Sequence, residues 1–207
     1  FKCSEVLDQK AGTLSGGQQQ RVGLARAFMK DPDILLLDET FTAMDYALKE
    51  ELMDQILSLQ KEKGFTLISI THSLEEGQKL GDTIFLMKEG KLVQQGSWQQ
   101  LLNDPQDLFE ASCFGILSMN IVDGSCFGFS GFAGLKPSGF GLHPETDCSE
   151  LDAKLEQKDD LGFWWMCQYS WNQEKIRVLS LDGSVGTKLY FPKSDLLRFD
   201  PNGNRMQ

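Results

Sequence analysis

The sequence predicts an α/β domain with a mainly parallel sheet over residues 1–110, followed by a small all-β, OB-like barrel domain over residues 111–207. Three observations lead there. Up to residue 110, short apolar runs alternate with stretches of helical period, as strands and their crossover helices do. From about Cys113 the helical period disappears, and seven glycines fall between Gly115 and Gly141 with Phe127, Phe129, Phe132 and Phe140 interleaved. That composition suits short strands joined by tight turns. Finally, the acidic pair Asp38-Glu39 closes one apolar run and Thr71-His72 closes the next. In open α/β sheets, ligands gather outside the carboxyl ends of the strands.

Residues 1–13 are expected to hold the end of a preceding helix and the turn into Ser15. Ser15 is a good helix N-cap, and Gln18, three residues on, completes a capping box, so a helix begins near Gly16. Glycines at 16 and 17 leave its first turn without side chains, so its backbone N–H groups and the positive end of its dipole lie open to an anion. Asp31-Pro32-Asp33 breaks the pattern. The uninterrupted run Ile34 to Leu37 then suits a strand covered on both faces. Leu48, Leu52, Ile56 and Leu59 recur at helical spacing from Tyr46 to about Lys61, and Gly64 is a stop. A second strand runs from Phe65 to Ile70. A strand, helix and strand of this length form a crossover with parallel strands, so both carboxyl ends emerge on one edge.

Topology therefore brings Asp38, Glu39 and His72 together. The expected roles follow from chemistry: Asp38 holds Mg2+ directly or through water, since this ion takes one or two carboxylates plus phosphate oxygens. Glu39 accepts a proton from attacking water. His72 touches the terminal phosphate or orients the water.

Further along, Leu74 to Leu80 reads as a short helix, Thr83 to Met87 and Leu92 to Gln95 as a hairpin around Glu89-Gly90, and Ser97 as the cap of a helix through Leu102. Beyond a polar stretch at 150–160, FWWMCQYSW and IRVLSL read as strands turning at Asn172-Gln173, with a further turn at Asp182-Gly183. The aromatic residues are expected to fill the interior of the barrel rather than to form a stacking platform for bases or sugars.

Several of these segments share a family likeness. LSGGQQQRVGLARA resembles the signature motif of ABC-type ATPases, ILLLDE their Walker B strand, FTAMD the D-loop and ITHSLEE the switch-histidine segment, with GDTIFLMKEGKLVQQGS similar to the sheet end that follows. Thr40 stands where the family usually has proline, and Met44 where leucine is usual. The resemblance implies an ATP-binding subunit of an importer that couples ATP hydrolysis to solute uptake. Such subunits work with ATP and Mg2+, as homodimers or heterodimers with another ATP-binding subunit, bound to transmembrane permease subunits at the cytoplasmic face of the membrane. It also implies that Leu14, Ser15, Gly16, Gly17 and Gln18 serve the nucleotide of the partner, that Asp45 belongs to the D-loop, and that Asp38, Glu39 and His72 serve the chain's own nucleotide. No G-x-x-x-x-G-K-[ST] loop occurs and the first residue is Phe1, so the expectation is the carboxyl-terminal part of a longer protein, inactive as an ATPase by itself. GLHPETDCSEL and LLRFDPNGNRM resemble parts of the TOBE-type β domain that follows the ATPase domain in many importers, with His143 in place of the usual arginine.

Composition narrows the rivals. Lys+Arg against Asp+Glu is 11 to 18 up to residue 110 and 9 to 12 beyond it, for a net charge of −10. Both parts are acidic, which argues against nucleic acid as a partner and so against a soluble ABC ATPase of repair or translation. A non-catalytic regulatory or ligand-binding protein built on the β domain is the other alternative. No apolar run reaches the length of a membrane span and no signal-peptide pattern opens the chain. Cys3, Cys113, Cys126, Cys148 and Cys167 form no C-x-x-C pair, so free thiols are expected rather than a zinc site or a disulfide framework.

Overall fold

The computed structural model describes residues 3–42 and 44–206, so Phe1, Lys2, Gln207 and Ala43 of the FTAMD segment lie outside the described residues. The chain divides into two compact units, residues 1–84 and 85–207.

In the first unit, helix α1 (Gly16–Phe28) begins on Ser15 with both halves of the capping box formed. Gln18 N–H donates to Ser15 Oγ at 3.3 Å, and Ser15 N–H donates to Gln18 Oε1 at 2.9 Å. Strand β1 (Ile34–Asp38), helix α2 (Tyr46–Lys63) and strand β2 (Thr66–Ile70) follow. Asp45 caps α2 by accepting from Leu48 N–H at 3.0 Å, and Gly64 ends it in the left-handed conformation that glycine adopts freely. β1 and β2 pair in parallel, from Ile34 opposite Thr66 to Asp38 opposite Ile70. Leu24, Leu35, Leu37, Phe41, Leu52, Met53, Ile56 and Phe65 make the core, so α2 covers the Leu35–Leu37 face of the sheet. The opposite face differs from the expectation of a strand covered on both sides: Ile34 is 58% and Leu36 69% exposed, and Ile68 and Ile70 beside them are exposed as well. An apolar run encodes the hydrophobicity of a strand, whereas its covering depends on elements elsewhere. Helix α3 (Leu74–Leu80) closes the unit, capped by Ser73.

Strands β3 (Ile84–Lys88) and β4 (Lys91–Gly96) form a hairpin whose turn, Glu89-Gly90, has φ of 50° and 74°, the primed geometry that matches strand twist. Helix α4 (Trp98–Asn103) has a capping box on Ser97, and α5 (Leu108–Ser112) is capped by Asp107. Eight further strands are β5 (Asn120–Asp123), β6 (Phe132–Leu135), β7 (Cys148–Asp152), β8 (Lys154–Asp160), β9 (Trp165–Trp171), β10 (Glu174–Ser180), β11 (Lys188–Pro192) and β12 (Leu197–Phe199). They form three antiparallel ladders, β12-β6-β5, β10-β9-β8 and β11-β7. Their inner faces share one core that includes Val122, Leu135, Leu151, Tyr169, Ile176, Leu189 and Phe191.

The all-β character matches the expectation, but the ladders do not join into a closed barrel among the described residues. A buried amide links two of them instead: Asn120 Nδ2 donates to the Leu135 and Arg177 carbonyls at 3.2 and 2.8 Å, and Arg177 N–H donates to Asn120 Oδ1 at 2.8 Å. The aromatic rings divide. Tyr169, Phe191 and Phe199 are interior, whereas Phe163 is 89% exposed. Cys113, Cys126, Cys148 and Cys167 are free thiols, and burial pushes the Cys113 and Cys167 thiols up.

Two tests of this unit follow. Gly131 has φ of 113°, and an added Cβ would fall 2.1 Å from the Phe199 carbonyl oxygen. Gly131→Ala is therefore expected to cost about 2–4 kcal/mol in urea denaturation; a loss within the error of measurement would show that the β6–β12 approach gives way. At the turn after β10, the Ser184 and Ser180 hydroxyls and Ser184 N–H donate to Asp182, holding its carboxyl at about 2 instead of the usual 3.8. A depressed carboxyl stabilises the turn above the unfolded pKa, and this is lost as pH falls through the folded one. The Ser184 amide signal should accordingly shift with a midpoint near 2. A midpoint near 3.8 would mean that the hydroxyls do not hold the carboxylate.

Candidate functional site

Parallel, in-register pairing places the carboxyl ends of β1 and β2 side by side, and the chain extends that pairing by one residue: Glu39 N–H donates to the Ile70 carbonyl at 2.9 Å. The bond is made with Glu39 at φ of 44°, a left-handed conformation that a non-glycine residue rarely adopts and that clusters at functional sites. Thr42 holds the bend, its hydroxyl donating to the Glu39 carbonyl at 2.8 Å. The Glu39 side chain lies with Oε1 3.5 Å from His72 Nδ1, the two side chains being 55% and 70% exposed. Two residues 33 positions apart in sequence thus meet at the open edge of the sheet.

Asp38 is the last residue of β1, on the exposed face with Ile34 and Leu36, and its carboxylate makes no hydrogen bond or ion pair among the described residues. An accessible carboxylate with free oxygens fits a cation that brings its other ligands with it. Among the described residues no group of three His, Cys, Asp or Glu side chains could cage a metal. Mg2+ in particular keeps few protein ligands and relies on water and phosphate oxygens, so a single accessible carboxylate such as Asp38 is compatible with that ion.

Leu14 to Gln18 form a separate feature. Among the described residues, no hydrogen bond or ion pair links them to Asp38, Glu39 or His72. The Gln18 side-chain carbonyl is committed to the cap, and the Gln19 amide donates to the Leu14 carbonyl at 3.0 Å, fixing the turn ahead of the helix. What remains for an anion is the Ser15 O–H, whose oxygen only accepts in the cap, and the backbone N–H groups of Gly16 and Gly17 at a helix N-terminus. Asp45 acts through one oxygen as the cap of α2.

Sequence reasoning overlooked three residues beside His72: Lys49, Thr71 and Glu76. Glu76 is a buried carboxylate joined to the Thr71 hydroxyl and the Lys49 ammonium. A signal was present, because Ser73 with Glu76 has the spacing of a capping box, and a first-turn acid of that kind belongs to the turn before it.

With this geometry in view, the comparisons with known proteins can be set beside it. Residues 2–42 match the family model described as ABC transporter. More particularly, the chain is 41% identical over 118 residues to the spermidine/putrescine import ATP-binding protein PotA of Haemophilus influenzae, covering 57% of this chain and 32% of that protein. It is 50% identical over 94 residues to the glycine betaine transport ATP-binding protein OpuAA of Bacillus subtilis, covering 45% of this chain and 22% of that protein. The chain thus spans a third or less of the length of these relatives. Among solved structures, the dimeric structure of a bacterial ABC transporter cassette is similar at 33% identity and a TM-score of 0.44, covering 45% of this chain and 40% of that one. No described helix is long and apolar enough to cross a membrane.

Proposed function

We propose that this chain carries the signature and hydrolytic halves of an ATP site in an importer, a subunit that hydrolyses ATP to drive solute uptake while bound to transmembrane permease subunits at the cytoplasmic face of the membrane. The observation that carries the reading is the convergence of Glu39 and His72 at the shared edge of β1 and β2, with Glu39 held in a left-handed bend.

The chemistry assigned to each residue follows from its position. Glu39 accepts the proton of the attacking water, and its bend aims the carboxylate away from the strand and into the open edge. His72, in contact with Glu39 Oε1, keeps that carboxylate oriented and donates toward the terminal phosphate. Asp38 holds Mg2+, which when bound neutralises phosphate charge. Ser15, Gly16 and Gly17 offer a hydroxyl and backbone N–H groups to the phosphates of a nucleotide on the partner subunit, with Leu14 and Gln18 shaping that turn, while Asp45 sets the start of α2. The site is therefore complete only in a dimer.

Residues 1–110 are read as the ATPase part and residues 111–207 as a TOBE-like β domain with an OB-like strand arrangement. The relatives are named for spermidine/putrescine and for glycine betaine, so the matching segment is read as common machinery and not as the selector of solute.

A chimaera in which this chain replaces the matching segment of the Haemophilus influenzae relative tests the signature. Ser15→Arg puts a bulky cation at the cap and should abolish phosphate release while leaving the circular dichroism unchanged. Undiminished hydrolysis would remove Ser15 from the site.

A further inference from the structure

His72 can meet Glu39 only if the turn after β2 points it there, and that turn is built from side chains. Thr71 Oγ1 accepts the Ser73 N–H at 2.9 Å, closing a ring around the backbone of His72. The same hydroxyl donates to Glu76 Oε2 at 2.5 Å. With its proton committed to Glu76, the oxygen can present only a lone pair to Ser73, so the carboxylate fixes which way the ring closes. Glu76 is 5% exposed and receives a second support from its own N–H donating to Ser73 Oγ at 3.4 Å. Its charge is offset by Lys49 Nζ, 3.6 Å from Oε1, and Lys49 also pairs with Glu75 at 3.3 Å. Lys49 stands in the first turns of α2, four residues after the Asp45 cap.

We propose that Lys49, Glu76 and Thr71 form a positioning network that holds His72 against Glu39 and ties it to the start of α2. A displacement of the α2 N-terminus draws on Lys49, loosens the Glu76–Thr71 bond and releases the ring that sets His72. None of the three touches the reacting atoms; they act through His72. The proposal rests on the reading of Glu39 and His72 as the reacting pair, but its test does not.

The chain holds two histidines, His72 and His143, so the ring signals of ¹⁵N-histidine-labelled protein separate site from control. Thr71→Val removes the hydroxyl at constant shape. It should move the His72 ring signals to those of a free, exposed histidine, leave His143 unmoved, and speed Ser73 amide exchange roughly five- to tenfold. Thr71→Ser should restore both. Lys49→Met should shift the His72 signals in the same direction with α2 intact by circular dichroism. Unchanged His72 signals in Thr71→Val and Lys49→Met would overturn the proposal, as would failure of Thr71→Ser to rescue. No nucleotide enters these readouts. Hydrolysis surviving the loss of Glu39 would sink the assignment of the pair, and unmoved His72 signals would sink the network alone.

Discussion

Glu39→Gln in the chimaera should leave ATP binding intact and lower hydrolysis by about 10²- to 10⁴-fold, the range expected for loss of a general base. The substitution keeps the size of the side chain and its ability to accept from His72, and it removes the carboxylate that takes the proton. The backbone bend at φ of 44° is fixed by the Ile70 and Thr42 hydrogen bonds, both to main-chain atoms of Glu39, so the fold should be indifferent to the change. Phosphate release measured beside nucleotide binding separates the two effects. Turnover within a few-fold of the parent would assign the proton to another group, and lost binding would make Glu39 a ligand of the nucleotide instead of its base.

The largest stability effect is expected in the β unit. Phe191 is almost fully buried and packs edge-on against Phe127 at 6.0 Å and Phe140 at 5.8 Å between ring centroids. Phe191→Ala removes the ring shared by all three and should cost about 3–5 kcal/mol, a large part of the stability of an ordinary domain. All four tryptophans, Trp98, Trp164, Trp165 and Trp171, lie beyond residue 84, so their fluorescence in urea reports the second unit alone. Phe191→Leu should lose much less, because most of the volume is kept. Equal losses would point to the edge-on ring geometry as the source of stability in place of volume.

What could be read from the sequence is what neighbours in sequence encode. The Ser15–Gln18 capping box, α2 between its Asp45 cap and Gly64 stop, and the turns at Glu89-Gly90 and Asn172-Gln173 depend on residues within a few positions of each other, and each stands where its residues place it. The meeting of Glu39 and His72 was legible one level up, because a parallel crossover leaves few alternatives for where strand ends lie. The rest is set by pairings across long separations. The Asn120 link to Arg177 spans 57 residues, and nothing local to either residue announces it. The ladders β11-β7 and β12-β6 were likewise free to close a barrel or to stop short, since alternation along a strand fixes its faces and not its neighbours. Exposure of Ile34 and Leu36 falls under the same heading. The left-handed bend at Glu39 runs against propensity altogether, which is where functional sites are expected to break local rules.

The central claim is that the Ser15 turn of one subunit and the Glu39–His72 edge of another enclose one nucleotide. Sedimentation velocity of the Glu39→Gln chimaera with and without Mg-ATP tests it most directly. The expected result is a monomer that becomes a dimer only with Mg-ATP and fails to do so when Ser15→Arg is added. A sedimentation coefficient that ignores ATP, or a dimer that forms equally well with arginine at position 15, would contradict it.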